Sequence, residues 1–412
     1  MNTNQNQNYT QTNKNIKVAI VHDFFFQNGG AENVVEKLLE IYPNADIYTT
    51  IFVKSKFENK PLLTTAFAQN RIKTTWLQEF FYWKDGLALK YFKHFFWLYP
   101  IVMRFVTIKN YDLVVISSTD CAKQIRVKNV KKIIHYCHSP TRYLNGLVTE
   151  TDHKNLGLIQ KTVLPLFIYW LQKLDHNAVK YLNQNNCIWV ANSQYIKTVI
   201  WDIYRTKSVV IYPPVEIQNY LDIQRQTPRK PQLIQGFYLC HGRISFHKRL
   251  DLAIRACLKL NRRLIISGTS AMESQIRDLK KIVTDFEATH PMSNNLIQFL
   301  GRTTDEEIKT LMSECKGFLF PGKEDFGITP IEILAAGVPI IAYQAGGALE
   351  YTQDGVNGVF FDKQSVDSIS VAITKFEEFD ENKHWNRSVI KETSKHFDER
   401  IFVKEVQKLI NQ

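Results

Sequence analysis

"GFLFPGKEDFGITPIEILAAGVPIIAY" spans residues 317–343. The run GFLF (317–320) is apolar throughout, the stretch 321–327 carries Pro321, Gly322 and Gly327, and a helical pattern follows Thr329 until PIIAY (339–343) resumes as a second apolar run. Two short apolar strands joined by a helix read as a parallel pair, because strands buried on both faces lose the polar alternation of a half-exposed sheet.

Outward from this stretch the same unit recurs. GFYLCHGRIS (236–245), RLIISGTS (263–270) and LIQFLG (296–301) are each followed by a helical pattern. In the first half, KVAIVHDF (17–24), DLVVISS (112–118), KKIIHYC (131–137) and CIWVANS (187–193) do the same work. Between the halves, QNYLDIQRQTPRKPQ is polar and proline-bearing and reads as a linker, so a boundary falls near residues 213–232. The 412 residues therefore predict two doubly wound α/β domains facing a cleft. In such sheets ligands bind beyond the carboxyl ends of the strands, which selects Gly29, His138, Arg243, Gly268 and the 321–339 segment.

Composition narrows the partners. Six cysteines are scattered singly, with no CxxC pair, so neither a disulfide framework nor a zinc site is indicated, and a reducing cytoplasm is the simplest setting. The polar start, residues 1–15, lacks the order of a signal peptide and is expected to be disordered. A net charge of +12 suits phosphorylated small molecules, an anionic membrane or nucleic acid. No zinc-finger spacing, RNP-like pattern or sustained basic run supports nucleic acid. Residues 76–108 are aromatic and lysine-bearing without an apolar run long enough to span a bilayer. They read either as core helices or as a face that rests on a membrane interface.

The chemistry converges on an anion. Gly29 and Gly30 lie between a strand and a helix start, where backbone N–H groups can approach a phosphate. Arg243 and Lys248 occupy the loop after a strand, the first offering a planar fork and the second a compact charge, and both also read as plain surface cations. Thr329, Pro330 and Glu332 match a T-x-x-E capping box, with Thr329 as the cap and Pro330 at the first helical position, which would explain Glu332 structurally. Glu324 precedes that helix in a loop where no cap requires a carboxylate, so it is a candidate for sugar hydroxyls. His138, before Ser139-Pro140, turns the chain across a strand end and is a candidate site residue, whereas His135 inside its apolar run reads as core.

Gly29-Gly30-Ala31-Glu32, His138-Ser139-Pro140, Asn192-Ser193, YPPV (212–215), Gly242-Arg243 with Lys248, FLG (299–301) and the Glu324-to-Glu332 segment with AAGVPIIA resemble the retaining glycosyltransferases of family 4 over residues 16–412. Within that family the pattern is most similar to bacterial mannosyltransferases of O-antigen and surface polysaccharide assembly. The resemblance implies a GT-B architecture of two Rossmann-like domains, an acceptor-binding one at 16–215 and a nucleotide-sugar-binding one at 216–395. A final helix within 396–412 would pack back on the first. It further implies that Glu324 holds the donor sugar, Arg243 and Lys248 the diphosphate, and Glu332 the ribose. Gly29, Gly30, Gly268, Phe326, Gly327, Ile328 and Thr329 would also contact the donor, and His138 would lie against the transferred sugar.

No DxD sequence occurs, so the protein rather than a metal is expected to neutralise the diphosphate, and no cofactor is expected. The implied donor is a nucleotide diphosphate sugar, GDP-mannose favoured, and the implied acceptor a lipid-linked saccharide at the cytoplasmic face of a membrane. Two departures stand out: SGTSAMES (267–274) replaces a Gly-Asp-Gly-Pro-like turn, and Asn145 follows HSPTRYL where relatives often carry Trp. The alternatives are an epimerase of the same architecture and a catalytically idle nucleotide-binding scaffold.

Overall fold

A computed structural model describes residues 16–27, 29–86, 95, 97–147, 158–224, 236–270, 272–290, 295–383 and 385–412. The polar start, residues 87–94 and 96 of the aromatic stretch, and residues 225–232 of the expected linker lie outside the described residues. The chain divides into two compact units, one containing the residues up to Pro214 together with Val403–Gln412, the other Val215–Phe402.

The first unit is built on a parallel sheet of β1 (Val18–His22), β2 (Asp46–Thr49), β3 (Ile72–Thr74), β4 (Thr107–Ser118), β5 (Arg126–Cys137), β6 (Ile188–Ala191) and β7 (Ser208–Val210). Their order is β3-β2-β1-β4-β5-β6-β7. All five residues of β1 are buried, as the unbroken apolar run requires of a strand covered on both faces. The chain leaves β4 for the adjacent parallel β5 through residues 119–125 alone, a short path for a parallel connection. At matching places in the two strands Asn110 and Asn129 adopt φ of +59° and +53°, and Asn129 Nδ2 donates to Asn110 Oδ1 at 3.1 Å. Asparagine tolerates this left-handed conformation better than other side-chain-bearing residues.

The second unit has β8 (Tyr238–His241), β9 (Leu264–Ser267), β10 (Ile297–Gly301), β11 (Gly317–Phe320), β12 (Ile340–Tyr343) and β13 (Gly358–Phe361), all parallel, in the order β10-β9-β8-β11-β12-β13. The opening stretch supplies β11 and β12, joined by the helix Ile328–Ala335. The strand order reverses between β1 and β4 in the first unit and between β8 and β11 in the second. Connections on the two sides of a reversal run to opposite faces of the sheet, which opens a crevice at the strands' carboxyl ends.

Described helices in the 76–108 region, Leu77–Gly86 and Leu98–Met103, bury Leu77, Phe81, Tyr99, Val102 and Met103 in the first unit's core. The same region presents Trp76, 58% exposed, and Phe105, 80% exposed. These helices therefore contribute to the core, while Trp76 and Phe105, which flank them, and Phe80 and Tyr82 on the first helix keep aromatic surface open. No described helix is long and apolar enough to cross a membrane. The C-terminal helix Glu399–Asn411 ends in the first unit, where Lys132 Nζ donates to the carbonyl of Ile410 at 2.6 Å. That contact places a cation at a helix C-terminus, where carbonyls lack intrahelical partners.

Candidate active site

The second unit's reversal point gathers the segments after β8 and β11. Beyond β8 the chain passes Gly242, at φ +118°, and the exposed Arg243, then makes a single 3-10 turn over Phe246–Lys248. Lys248 Nζ pairs with Glu324 Oε1 at 2.7 Å, and both side chains are more than four-fifths buried. The flanking Arg249 is held by its own neighbour, with Nε and Nη2 each 3.0 Å from Asp251. A Cβ on Gly242 would stand 3.4 Å from Lys248 Nζ and 3.7 Å from Thr329 Oγ1, so the lysine and the start of the helix Ile328–Ala335 close on one glycine.

Close backbone packing holds this arrangement. A Cβ on Gly268 would lie 1.9 Å from the Gly242 carbonyl oxygen, and one on Gly322 would lie 2.7 Å from the Lys248 Cα. The loop around Glu324 is pinned from behind, since Gly347 N donates to the Glu324 carbonyl at 2.8 Å. Phe326 turns inward, 3% exposed, its ring edge-on to Tyr351 and Phe397. Its side chain thus anchors the loop, and only its backbone can serve a ligand.

The capping-box expectation is overturned. The helix begins at Ile328 with Gly327 as its N-cap at φ +92°, and no side chain caps it. Thr329 and Pro330 are already inside the first turn, so Thr329 cannot be the cap nor Pro330 the first helical residue. A left-handed glycine lets the chain enter the helix two residues earlier than the T-x-x-E pattern implies. The proline contributes no N–H, which leaves Gly327, Ile328 and Thr329 to supply the donors at this end. A Thr-x-x-Glu capping box does form elsewhere, between Thr304 and Glu307 at the helix Asp305–Glu314.

Glu332, freed from capping, hydrogen-bonds Tyr220. Burial pushes its carboxyl up to about 7; the Tyr220 hydroxyl opposes the rise, and the negative Glu216 and Asp305 add to it. Nearby, His241 Nδ1 lies 3.0 Å from Ser267 Oγ, which is itself 2.7 Å from Thr303 Oγ1. Burial, and then Lys248, press His241 down to about 4, against the pull of Asp305, so its ring is neutral at pH 7.

In the first unit, Gly29 caps the helix Gly30–Ile41 in extended backbone without a side-chain bond. A Cβ there would stand 3.2 Å from Glu32 Oε2, so the expected phosphate approach runs beside a buried carboxyl that is 3.8 Å from His22 Nε2. His138 is buried, with Nε2 2.8 Å from Ser117 Oγ, and Asn192 Nδ2 donates to its carbonyl at 2.8 Å. Burial and then His22 press it down to about 3, Asp23 pulling the other way, so it is a fixed neutral ring. His135 is packed on Trp189, with ring centroids 4.2 Å apart, and neither of its ring nitrogens has a partner among the described residues, as a core residue would be.

The structure thus brings Lys248, Gly268, Glu324, Gly327, Ile328 and Thr329 to one reversal point and His138, Gly29 and Gly30 to the carboxyl edge of the other sheet. Several residues escaped the sequence reading. Asp23 and Asp120 follow β1 and β4, and a strict use of the strand-end rule on VVISS would have flagged Thr119 and Asp120. Lys123 and Tyr220 carried no such signal, because one sits in a short turn and the other in the polar stretch after Val215.

Known proteins align with this architecture. Residues 224–393 match the model of glycosyl transferases group 1. The chain is 26% identical over 296 residues to human alpha-1,3/1,6-mannosyltransferase ALG2, covering 66% of each chain. It is 26% identical over 297 residues to O-antigen chain mannosyltransferase C of Escherichia coli, covering 66% of this chain and 70% of that protein. The matches to human ALG2 and to the uncharacterized glycosyltransferase MJ1607 of Methanocaldococcus jannaschii span 66% and 53% of those proteins' lengths. The fold matches the crystal structure of Anabaena Alr3699/HepE in complex with UDP-glucose, with a TM-score of 0.65 at 18% identity over 96% of this chain and 99% of that one. It also matches sucrose-phosphate synthase from Thermosynechococcus elongatus, with a TM-score of 0.66 at 13% identity over 96% and 98%. The chain has the two-sheet GT-B fold, and its residues 224–393 are a group 1 glycosyltransferase domain.

Proposed function

We propose that the chain is a retaining, metal-independent mannosyltransferase. It takes the sugar from GDP-mannose and delivers it to a lipid-linked saccharide at the cytoplasmic face of a membrane, in surface polysaccharide assembly. The observation that carries the reading is the Lys248–Glu324 pair at 2.7 Å, set at a sheet reversal point beside a helix N-terminus. An ammonium and a carboxylate side by side suit a ligand that is anionic at one end and hydroxyl-rich at the other, as the phosphate and hexose of a nucleotide sugar are. Arg243, Lys248 and the N–H groups of Gly327 to Thr329 would hold the diphosphate and stabilise the charge that grows on it as the glycosidic bond breaks. Glu324 would accept from the sugar hydroxyls, and Glu332 from the ribose. Mannose is favoured by the mannosyltransferase relatives. A peripheral membrane position is supported by the net charge of +12 and the exposed Trp76 and Phe105.

A thermal-shift screen of GDP-, UDP- and dTDP-sugars tests the donor, since a ligand that binds only the folded chain raises its melting temperature. GDP-mannose should give the largest shift, and a response to UDP-glucose alone would overturn the assignment. Glu324→Ala should retain nucleotide binding and lose transfer by roughly 10²–10³-fold, the size of effect seen when one preorganised polar contact at a reacting centre is deleted. Full transfer by this variant would refute the role of the pair.

A further inference from the structure

Two arginines of the first unit stand together without a counter-charge. Arg104 directly follows the helix Leu98–Met103, and Arg126 opens β5, where its N–H donates to the Val106 carbonyl at 2.9 Å. The exposed Phe105 is therefore flanked by Arg104 and by the residue that Arg126 bonds. Each arginine has a buried Nη1 with no hydrogen-bond partner among the described residues. Arg126 Cζ lies 4.3 Å from the centre of the Tyr181 ring. Burial, and then the charge of Arg104, hold the Arg126 guanidinium below its ordinary range, against the pull of Tyr181, and no carboxylate is among the groups that act on it. A helix C-terminus suits the Arg104 cation and an aromatic face suits Arg126, so the place of each is explained. Their forks of donors stay unfilled, which buried polar groups rarely do, and guanidinium cannot shed its charge to escape the repulsion. An anion between them would satisfy both.

The surroundings say which anion. Tyr181 belongs to the helix Leu158–Gln184, and Phe167, about four turns earlier, lies 6.0 Å from Trp97 at the start of the segment that Arg104 closes. The same helix thus touches Arg126 at one place and the Arg104 segment at another. Its exposed Leu166, Tyr169, Trp170, Lys173 and Lys180 recur at spacings of three, four and seven and form one stripe. Lys173 Nζ stands over the Tyr169 ring, 4.9 Å from its centre. The single carboxylate of this helix, Asp175, is buried and paired with Lys123 at 2.8 Å. The stripe is aromatic toward its start, cationic toward its end and free of acid, the make-up of a helix that lies in the headgroup region of an anionic bilayer.

We propose that Arg104 and Arg126 together hold the phosphate of an anionic lipid, while the stripe of the helix Leu158–Gln184 beside them rests in the interface of that bilayer. The inference rests on the peripheral membrane position proposed above and gives it an address within the first unit. Planar guanidinium forks match phosphate oxygens in pairs, which an ammonium does not, so two arginines make a phosphate site and not only a positive patch. The exposed ring of Phe105 between them and the rings of Tyr169 and Trp170 nearby suit a phosphate that carries acyl chains. A soluble phosphate would gain nothing from them.

The test floats the full chain with vesicles of phosphatidylcholine alone and with vesicles of which about one third is phosphatidylglycerol. The parent should bind the anionic vesicles at least about tenfold more tightly. Arg104→Gln with Arg126→Gln should lose about 30-fold in that affinity, as two basic residues at an anionic surface do. Arg104→Lys with Arg126→Lys keeps the charge and gives up the forks, and should still lose about tenfold. Trp170→Ser should weaken binding to both kinds of vesicle. Melting temperature and GDP-mannose affinity, measured on each variant, should stay near the parental values. Parental binding by a folded double-lysine variant overturns the arginine site alone and leaves general charge attraction. A melting temperature that rises with inorganic phosphate, without preference for anionic vesicles, overturns the lipid assignment. A parent chain that dimerises through the stripe, with Trp170→Ser a monomer, gives that face to a second copy and overturns it as well. Failure of the parent to bind either vesicle overturns the membrane position and this proposal with it, whereas the donor assignment stands or falls on GDP-mannose binding.

Discussion

Glu332→Gln separates the tertiary account of this residue from the capping account. An ordinary glutamate titrates near 4.5 and Glu332 near about 7. Each tenfold change in proton affinity is worth about 1.4 kcal/mol, so ionising Glu332 in the folded chain costs roughly 3 kcal/mol more than in the unfolded one. Because the folded value lies above the unfolded one, the contribution of the protonated group is whole below pH 4.5 and is lost as the pH rises through 7. Glutamine keeps an oxygen for the Tyr220 hydroxyl and never ionises. The variant should therefore exceed the parent in stability by up to about 3 kcal/mol at pH 8, and the gain should shrink toward zero near pH 4.5. Scanning calorimetry of the full chain reads this as a rise of several degrees at pH 8, at about 2–4 °C per kcal/mol for a unit of this size. A variant that is less stable than the parent at both pH values would refute the reasoning and restore Glu332 as a structural cap. Its affinity for GDP-mannose should fall in either case if the ribose hydroxyls bind there.

Two further perturbations probe the frame around the sites. Lys123, 2% exposed, donates to Thr141 Oγ1 at 2.6 Å and pairs with Asp175 Oδ1 at 2.8 Å, and Tyr204 holds the other Asp175 oxygen at 2.5 Å. Lys123→Ala should destabilise the chain by about 3–5 kcal/mol in urea unfolding, since it strands a buried carboxylate, and a loss below about 1 kcal/mol would contradict the burial of this pair. Gly268→Ala should cost at least about 2 kcal/mol, because φ there is +135° and the new methyl would stand 1.9 Å from the Gly242 carbonyl oxygen. It should also weaken donor binding by displacing the turn that carries Arg243, and a variant with parental stability would show that the approach of these two backbones is looser than described.

The pairing of Lys248 with Glu324 was half legible. Their positions after two apolar runs placed both at strand ends, and a parallel sheet brings successive strand ends to one edge, so a shared location followed from the strand pattern. Their direct contact did not, since it depends on Gly322 packing against Lys248 and on Gly347 fixing the Glu324 carbonyl. The cap was misread for a comparable reason. T-x-x-E is a local pattern, and the true entry to the helix is set by Gly327 in a left-handed conformation beneath Tyr351, whose hydroxyl would stand 2.8 Å from a Cβ there.

By itself the sequence determined the alternation of buried strands and helices, hence two parallel sheets, and the residue types that meet a phosphate and a sugar at their carboxyl edges. Periodicity and strand-end position are local properties, and burial on both faces is written into the composition of each run. Tertiary structure decided which carboxylates are charged and what they serve. Asp23 and Asp120 both follow an apolar strand, and only the fold wraps one in N–H donors and gives the carboxyl of the other a bond from the Tyr143 hydroxyl. Glu332 meets Tyr220 across more than a hundred residues of chain. Proton affinity depends on desolvation and on charges a few ångströms away, and those distances exist only once the strands have paired.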